Sequence, residues 1–365
     1  MRYAAIMLSR QPLRPTGQTP WVKKSVEAVR WLKDNGLGLT SSVGLQTWEL
    51  LTTQALEEAI PLRLVLPCSS SEEFINLCDR VLLDFGLSED LVEFAMVREE
   101  VAKSRLGLSA ARDRQIMETA DLLIPVSCRP NGNMRALLDE AQKRGQEVEE
   151  RFAVETFHQT EPLKYEVADW SLNPALLDIA GKYLIHWTRA TNSPWPGETR
   201  VKFYRDILKS EAWPRSAYAT LQRIVRMKKI LASPRHMPRN TPTVSFSALS
   251  PAEAVPLMRW RARYREMSFE PYGIGIERPL AAKIGIDEVN YFESTEEVAI
   301  PVEERWKWQS SGKITPWRTE REYRCRGDLN LGGIPSEALA MFCRTVKEAE
   351  QLREVHKGPI WPFVV

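Results

Sequence analysis

The 365-residue chain is 43% hydrophobic and 27% charged, with a formal net charge of +2, which is typical of globular proteins and excludes disordered or collagen-like classes. Its length exceeds the size at which single hydrophobic cores stop growing, so we expect two domains. No apolar run reaches 18 residues, which predicts no transmembrane helix, and five scattered cysteines without CxxC spacing favour a reducing cytoplasm over a disulfide framework or a zinc site.

The first part of the chain predicts alternating strands and helices. Residues 3–10 form a short apolar run, 22–35 have helical periodicity, 47–59 are again helical, and 62–67 form a second apolar run. This alternation, with short connections, predicts an α/β domain with a parallel sheet covered by helices. In such sheets, ligands bind at the carboxyl ends of the strands.

Two of these predicted strand ends carry candidate ligand-binding residues. The turn TSSVG precedes a helix, where free backbone N–H groups favour phosphate, although a glycine there can also serve backbone geometry alone. The apolar strand LLIPV opens into SCRPNGNM at the same predicted edge. The nucleotide-binding candidates are Ser42, Gly44, Ser127, Arg129 and Gly132.

The order of a first strand, SSVGLQTWEL, LVLP and ADLLIPVSCRPNGNM resembles the Rossmann-like domains of the DNA-processing DprA and cytokinin-activating LOG families. This resemblance implies a Rossmann-like domain over residues 1–154 that binds a nucleotide or a nucleic acid. The paired-glycine PGGxGT loop of the LOG enzymes is absent, so their phosphoribohydrolase activity is not expected.

The second part, residues 175–365, predicts an α+β domain after a polar, proline-containing connector. The predicted elements are a strand at 182–189, helices at 201–210 and 216–230, strands at 243–249, 271–277 and 287–293, and a β-hairpin at 319–332. The alternation in TEREYRCRGDLNLG suits a hairpin whose polar side faces a cleft.

A basic stretch runs through this second part. Residues 201–265 contain fourteen lysine or arginine residues and three acidic ones, interleaved with tyrosine and tryptophan. Such a surface suits contact with the phosphate backbone and stacking on the bases of a nucleic acid. Arg259, Arg261 and Arg263 are the candidate DNA contacts in this stretch. The alternative is a solvated helix face balanced by acidic neighbours.

Three polar segments, HWTRATNSPWPGE, SFEPYGIG and PWRTEREYRCRGDL, predict a pocket assembled from distant parts of the chain. The catalytic candidates are His186, Arg189, Glu270, Tyr272, Glu320, Glu322 and Cys128. Trp187 and Trp195 are candidates for stacking on a nucleobase. The alternative is that the tryptophans belong to the core and the charges form structural ion pairs.

The order of H-x-T, YG-x-G and W-x-x-E-x-E-x-R resembles AbiGi-like abortive-infection proteins of phage defence. In outline, the combination of a histidine, a tyrosine and a late glutamate also resembles that of ADP-ribosyltransferases. This resemblance would assign the three corresponding roles to His186, Tyr272 and Glu320 or Glu322. This resemblance implies a phage-defence effector as one alternative function.

Taken over the whole chain, the features resemble the DpdC family of the 7-deazaguanine DNA-modification island. The resemblance implies that the nitrile of 7-cyano-7-deazaguanine in DNA is converted to the carboxamide, with DNA and other proteins of the island as partners. No cofactor and no metal are expected, since no two histidines have metal-ligand spacing. A non-enzymatic nucleic-acid-binding adaptor is the third possibility.

Nitrile hydration leaves two mechanisms open. A Cys128 thiolate could attack the nitrile carbon if nearby positive charge or the following helix lowered its pKa. Alternatively Glu270, Glu320 or Glu322 could activate water, while His186 or Arg189 stabilises the developing negative charge.

Overall fold

The computed structural model describes residues 1–97, 105–155, 164–165, 171–234, 237, 241–262, 265–293, 300–311 and 317–365. The chain divides into two compact units. The first comprises Met1–Glu161 and Glu198–Pro214, and the second comprises Pro162–Gly197 and Arg215–Val365. The predicted class, an α/β chain with a Rossmann-like parallel sheet and a second domain, is confirmed.

The strands within the described residues are β1 (Tyr3–Leu8), β2 (Gly38–Ser41), β3 (Leu62–Leu66), β4 (Val92–Met96), β5 (Leu122–Ser127), β6 (Glu147–Val148), β7 (Tyr183–Trp187), β8 (Lys229–Ile230), β9 (Thr243–Ser247), β10 (Trp260–Arg261), β11 (Glu266–Met267), β12 (Gly273–Glu277), β13 (Asp287–Glu288), β14 (Asn290–Phe292), β15 (Trp308–Ser310), β16 (Glu322–Arg326), β17 (Leu329–Asn330), β18 (Leu339–Thr345) and β19 (Ile360–Val364). The α-helices are α1 (Pro20–Asp34), α2 (Gln46–Glu58), α3 (Ser71–Phe85), α4 (Arg105–Thr119), α5 (Asn133–Lys143), α6 (Ala175–Asp178), α7 (Arg200–Lys209), α8 (Ala217–Met227), α9 (Pro251–Ala254), α10 (Arg278–Lys283) and α11 (Val346–Arg353).

The first unit is built on a six-stranded sheet in the order β4-β3-β2-β1-β5-β6, in which every pairing is parallel. All four residues of the central strand β2 and all six residues of β5 are buried. Continuous burial is typical of parallel strands that are covered on both faces by helices.

The segment Glu198–Pro214 belongs to the first unit, although the sequence prediction assigned 175–365 to one domain. The physical reason is its helix α7, whose Phe203, Tyr204 and Ile207 are buried in the hydrophobic cluster of the parallel sheet. The helix periodicity was visible in the sequence, but a periodic apolar face does not specify which sheet it covers.

The second unit contains a seven-stranded sheet in the order β13-β16-β9-β7-β12-β18-β19. Its pairings are antiparallel except for that of β18 with β19. Side chains of β7 alternate between two hydrophobic clusters: Leu184 lies in one, and Tyr183, Ile185 and Trp187 lie in the other. The sheet is therefore covered on both faces.

The predicted hairpin at 319–332 is wrong. Strand β16 pairs with β9 and β13 in the large sheet, whereas β17 pairs with β8 in a separate two-stranded sheet. The alternating pattern correctly predicted a strand with one polar side. That strand, β16, pairs with strands distant in sequence instead of with the neighbouring β17. None of the helices described here is long and apolar enough to cross a membrane.

Candidate functional site

A cavity of about 400 Å³ opens in the second unit where β7 and β9 diverge. These two strands share one bridge, between Ile185 and Ser247, whereas β7 pairs with β12 over five residues. Three arginines and three glutamates line this first cavity: Arg189, Arg261, Arg324, Glu266, Glu320 and Glu322. Among the predicted candidates, the cavity thus gathers His186, Trp187, Arg189, Arg261, Glu320 and Glu322.

Glu322 is held rigidly on β16. Its Oε1 accepts hydrogen bonds from Ser245 Oγ at 2.7 Å and Arg324 Nε at 2.8 Å, and its Oε2 accepts one from Arg324 Nη2 at 2.8 Å. The register places Arg324 opposite Ser245, and alternation places Glu322 on the same face. Arg324 is 2% exposed and also donates to Gln309 and to the carbonyl of Trp306. Both Glu322 oxygens are therefore engaged.

Glu320 has a different environment, in the 3₁₀ turn that precedes β16. Its Oε1 accepts from Arg261 Nη2, whose guanidinium also donates to Ser268 Oγ. The structure records no hydrogen bond from a described residue to Glu320 Oε2. Burial raises the pKa of the Glu320 carboxyl, and the positive charge of Arg261 opposes that effect.

His186 lies at the point where the two strands part. Its Nδ1 is 2.8 Å from the backbone oxygen of Ser245, and a carbonyl can only accept, so Nδ1 carries the proton and Nε2 the lone pair. Burial lowers the pKa of His186 to about 4, and the charge on Arg189 contributes to the lowering. The imidazole is therefore neutral at neutral pH.

Arg189 extends from the loop after β7 and pairs with Glu266, with 3.5 Å between Nη1 and Oε1. Glu270 is fully buried and does not line the first cavity. Its Oε1 accepts from the backbone N–H of Ala190 at 2.6 Å, and its Oε2 accepts from the hydroxyl of Tyr165. Glu270 thus fixes the backbone beside Arg189 instead of facing the cavity.

Trp187 forms part of the cavity wall but is only 7% exposed, with its ring 5.7 Å from that of Phe269. Its packing depends on Gly273: a Cβ there would lie 2.9 Å from the backbone oxygen of His186 and 3.3 Å from the Trp187 ring. The YGIG pattern is therefore explained by close packing between β7 and β12.

Tyr272 does not join the other candidates. Its hydroxyl donates to Glu348 at 3.0 Å, burial raises its pKa, and the residue is absent from the cavity lining. The first cavity therefore brings together the histidine and the glutamates of the ADP-ribosyltransferase-like interpretation but not its tyrosine.

The nucleotide-binding candidates of the first unit are engaged within their own unit. The Ser42 hydroxyl donates to the Val65 carbonyl at 2.7 Å, and Ser127 Oγ accepts from Gln11 at 2.9 Å. The Arg129 guanidinium donates to the carbonyl of Arg10, and the N–H of Gly132 donates to the carbonyl of Arg129. These contacts account for the polar residues at both strand ends.

Gly44 shows why this turn needs glycine. Its φ of +87° is in the left-handed region, and its N–H donates to Glu49 Oε1 at 2.9 Å. Glu49, 3% exposed, also binds Arg200 and the hydroxyl of Tyr204, both on the α7 segment. The Gly44 N–H of the turn predicted to bind phosphate is therefore bound by a carboxylate of the chain itself.

Cys128 belongs to the first unit and is 6% exposed. Its Sγ is 3.6 Å from the carbonyl oxygen of Met7. Burial raises the pKa of this thiol to about 11, despite the opposing charge of Arg135. The thiolate needed for nucleophilic attack is disfavoured.

The basic stretch divides between the two units, with residues 201–214 in the first and 215–265 in the second. Arg259 is exposed, Arg261 lines the first cavity, and Arg263 lies outside the described residues. Trp195 donates to Thr220 Oγ1 at 3.0 Å, and the Arg215 guanidinium lies 4.0 Å from the centre of its ring.

Six polar residues of the first cavity were not named as candidates from the sequence, although Ser268 and Arg324 lie in two of the polar segments that predicted a pocket: Ser245, Ser247, Glu266, Ser268, Gln309 and Arg324. The alternation of serine with apolar residues in TVSFSAL was an available signal for two of them. Gln309 and Glu266 had no such signal. The part of the chain that is described contains no group of three or more His, Cys, Asp or Glu side chains placed to share a metal ion.

Comparisons with known proteins give few matches. No protein-family model matches the chain, and no curated protein matches it. A solved structure of DNA processing protein A from Helicobacter pylori, a protein that binds single-stranded DNA, is similar at 19% sequence identity with a TM-score of 0.30. The match covers 40% of this chain and 63% of that chain, so it spans less than two thirds of the H. pylori protein. The resemblances to the DpdC and AbiGi-like families remain predictions.

Proposed function

We propose that the protein is an enzyme that hydrates the nitrile of 7-cyano-7-deazaguanine in DNA, with the base bound in the first cavity. The cavity volume of about 400 Å³ is within the range of roughly 300–1,000 Å³ typical of small-molecule sites. The described charged lining residues balance at three arginines and three glutamates, which suits a neutral base. A base within a duplex would have to leave the stack to enter.

The observation that carries the proposal is the contrast between Glu320 and Glu322. Glu322 has both oxygens bound by Arg324 and Ser245, which suits a fixed anion. Glu320 has a raised pKa and a single recorded hydrogen bond to its carboxylate. Two carboxylates in such different environments can have different catalytic roles. Glu320 carries the proton, and Glu322 provides electrostatic support.

The reaction follows from this assignment. Glu320 accepts a proton from water as the water oxygen bonds to the nitrile carbon, and one π bond of the nitrile breaks with its electron pair going to nitrogen. Arg189, whose side chain is 41% exposed, stabilises the negative charge on nitrogen. Glu320 returns the proton to that nitrogen, and transfer of the remaining proton from oxygen to nitrogen gives the carboxamide. The net change is the addition of one water.

The buried thiol of Cys128 and the enclosed Glu270 are not needed in this scheme. Glu270 contributes by holding the Ala190 N–H and thereby the backbone that carries Arg189. It is a positioning residue rather than the base.

Mass spectrometry of nucleosides from DNA containing 7-cyano-7-deazaguanine tests the proposal. Incubation with the protein should add the mass of one water to each modified base. Glu320→Gln should reduce the rate by about 10²–10⁴-fold, the usual contribution of a general acid–base group. Glu303→Gln, at an exposed position outside the cavity, is the matched control and should retain the rate.

Two results would overturn the proposal. Unchanged nucleoside mass with the wild-type protein would remove nitrile hydration. Equal rates for Glu320→Gln and wild type would remove Glu320 as the proton carrier. The rate should also fall at acidic pH, with the acid limb above the usual glutamate range, because the base form of Glu320 is required and its pKa is raised.

A further inference from the structure

A second cavity, also about 400 Å³, adjoins the first in the same unit. The two cavities share six lining residues: His186, Trp187, Arg189, Met237, Ser245 and Glu266. The second cavity continues along α8 and the loop after β7, where Trp195, Thr220 and Arg223 line it. A ligand that filled both cavities would pass the shared residues at the point where β7 and β9 separate.

The two cavities differ in charge. The described charged residues of the first cavity balance, whereas those of the second are Arg189, Arg223 and Glu266, an excess of one positive charge. A neutral base therefore suits the first cavity and an anionic group suits the second. Arg189 and Glu266, which form an ion pair, belong to both linings, so the positive excess of the second cavity comes from Arg223. A phosphate that links two neighbouring nucleotides would therefore lie beside Arg223.

The walls of the second cavity suit a nucleotide. Ile224, Ile230 and Leu231 provide apolar surface, and Thr191, Ser193 and Thr220 provide hydroxyl groups. Arg223 lies with its guanidinium 5.1 Å from the centre of the Trp195 ring and donates to the Pro196 carbonyl at 3.0 Å. Its planar guanidinium can bind phosphate oxygens as well as cover an aromatic ring.

We infer that the second cavity binds the nucleotide that adjoins the target base, so that the substrate is an oligonucleotide strand rather than a free base or nucleoside. The inference rests on the proposed function, because the target base is assigned to the first cavity. Trp195 and the apolar residues contact the adjoining nucleotide, and Arg223 contacts its phosphate.

Turnover of three substrates tests this inference: 7-cyano-7-deazaguanine deoxynucleoside, a dinucleotide and a short single strand that carry the same base. The value of kcat/KM should rise by at least about tenfold from the nucleoside to the dinucleotide, the equivalent of one charge-assisted hydrogen bond. Arg223→Ala should lower the value for the dinucleotide about tenfold more than that for the nucleoside, mainly through KM, and Arg223→Lys should restore part of the loss.

Arg226→Ala is the matched control, since Arg226 is an exposed arginine on the same helix and does not line the cavity. It should leave all three values unchanged. Equal kcat/KM for nucleoside and dinucleotide, or an equal effect of Arg223→Ala on both, would overturn the inference.

Fluorescence anisotropy of the labelled single strand separates this inference from the proposed reaction. If the wild-type protein binds the strand and Arg223→Ala weakens binding about tenfold, the subsite stands even where no water is added to the base. If the two proteins bind equally, or neither binds, the subsite is refuted whatever the turnover.

Discussion

Acidification should destabilise the protein through His186. The imidazole is neutral in the folded state because burial lowers its pKa to about 4 from an ordinary value of 6.5. Below pH 6.5 the unfolded chain takes up a proton that the folded chain does not. The stabilisation is therefore complete above pH 6.5 and is lost as the pH falls towards 4.

The magnitude follows from the two pKa values. At about pH 5 the linkage relation gives a loss of about 2 kcal/mol relative to pH 8, and below about pH 4 the loss approaches about 3 kcal/mol. His186→Asn removes the titrating group while placing an amide donor near the backbone oxygen of Ser245, the acceptor of the His186 bond. The difference in free energy of unfolding between wild type and variant should shrink by about 2 kcal/mol between pH 8 and pH 5.

Urea unfolding of both proteins, followed by circular dichroism across this pH range, provides the measurement. The other three histidines are present in both proteins, so their contributions cancel in the difference. NMR titration of the His186 ring signals gives an independent value of its pKa. A difference in free energy that did not change with pH, or a ring pKa near 6.5, would refute the assignment of His186 as a neutral imidazole in the folded protein.

Three further changes test the fold around the candidate residues. Glu49→Ala should lower the free energy of unfolding by about 1–3 kcal/mol, because it leaves the buried Tyr204 hydroxyl without its acceptor and removes one of the two carboxylates that bind Arg200, the other being Asp84; an unchanged urea midpoint would contradict this. Gly275→Ala should cost about 1–3 kcal/mol, since its Cβ would lie 2.8 Å from the Phe342 ring, which thermal unfolding can measure. In the folded protein a thiol reagent should modify the half-buried Cys78 before Cys128, as peptide mapping would show, and equal labelling rates would refute the burial of Cys128.

The sequence predicted the first unit well because its signals are local. The apolar runs at 3–10 and 62–67 correspond to β1 and β3, and the periodic segment at 22–35 corresponds to α1. Short parallel crossovers fix the order of such elements closely. The pattern did not predict which group binds the Gly44 turn. The Glu49 carboxylate at this turn is held by Arg200 and Tyr204, which lie 151 and 155 positions further along the chain.

In the second unit, local pattern identified polar strands but not their partners. The segments that carry His186 and Glu320 were recognised by their dense polar composition, and Arg261 was recognised as part of the basic stretch. The first cavity does bring these three residues together. The sheet order, with β16 between β13 and β9, depends on pairings across 35 to 83 positions. Because such register is set by the faces that become buried, the same alternation was also compatible with a local hairpin.

Glu320 and Glu322 differ in how far their environments could be predicted from the sequence. Residues two apart on a strand share a face, so the spacing of Glu322 and Arg324 already favours their ion pair and a structural role for Glu322. Glu320 precedes the strand, and its partner Arg261 comes from β10, 59 positions earlier. The spacing of the sequence therefore did not predict the partner of Glu320. Its pKa is raised by burial, and that burial arises where distant segments of the chain meet rather than from a local motif.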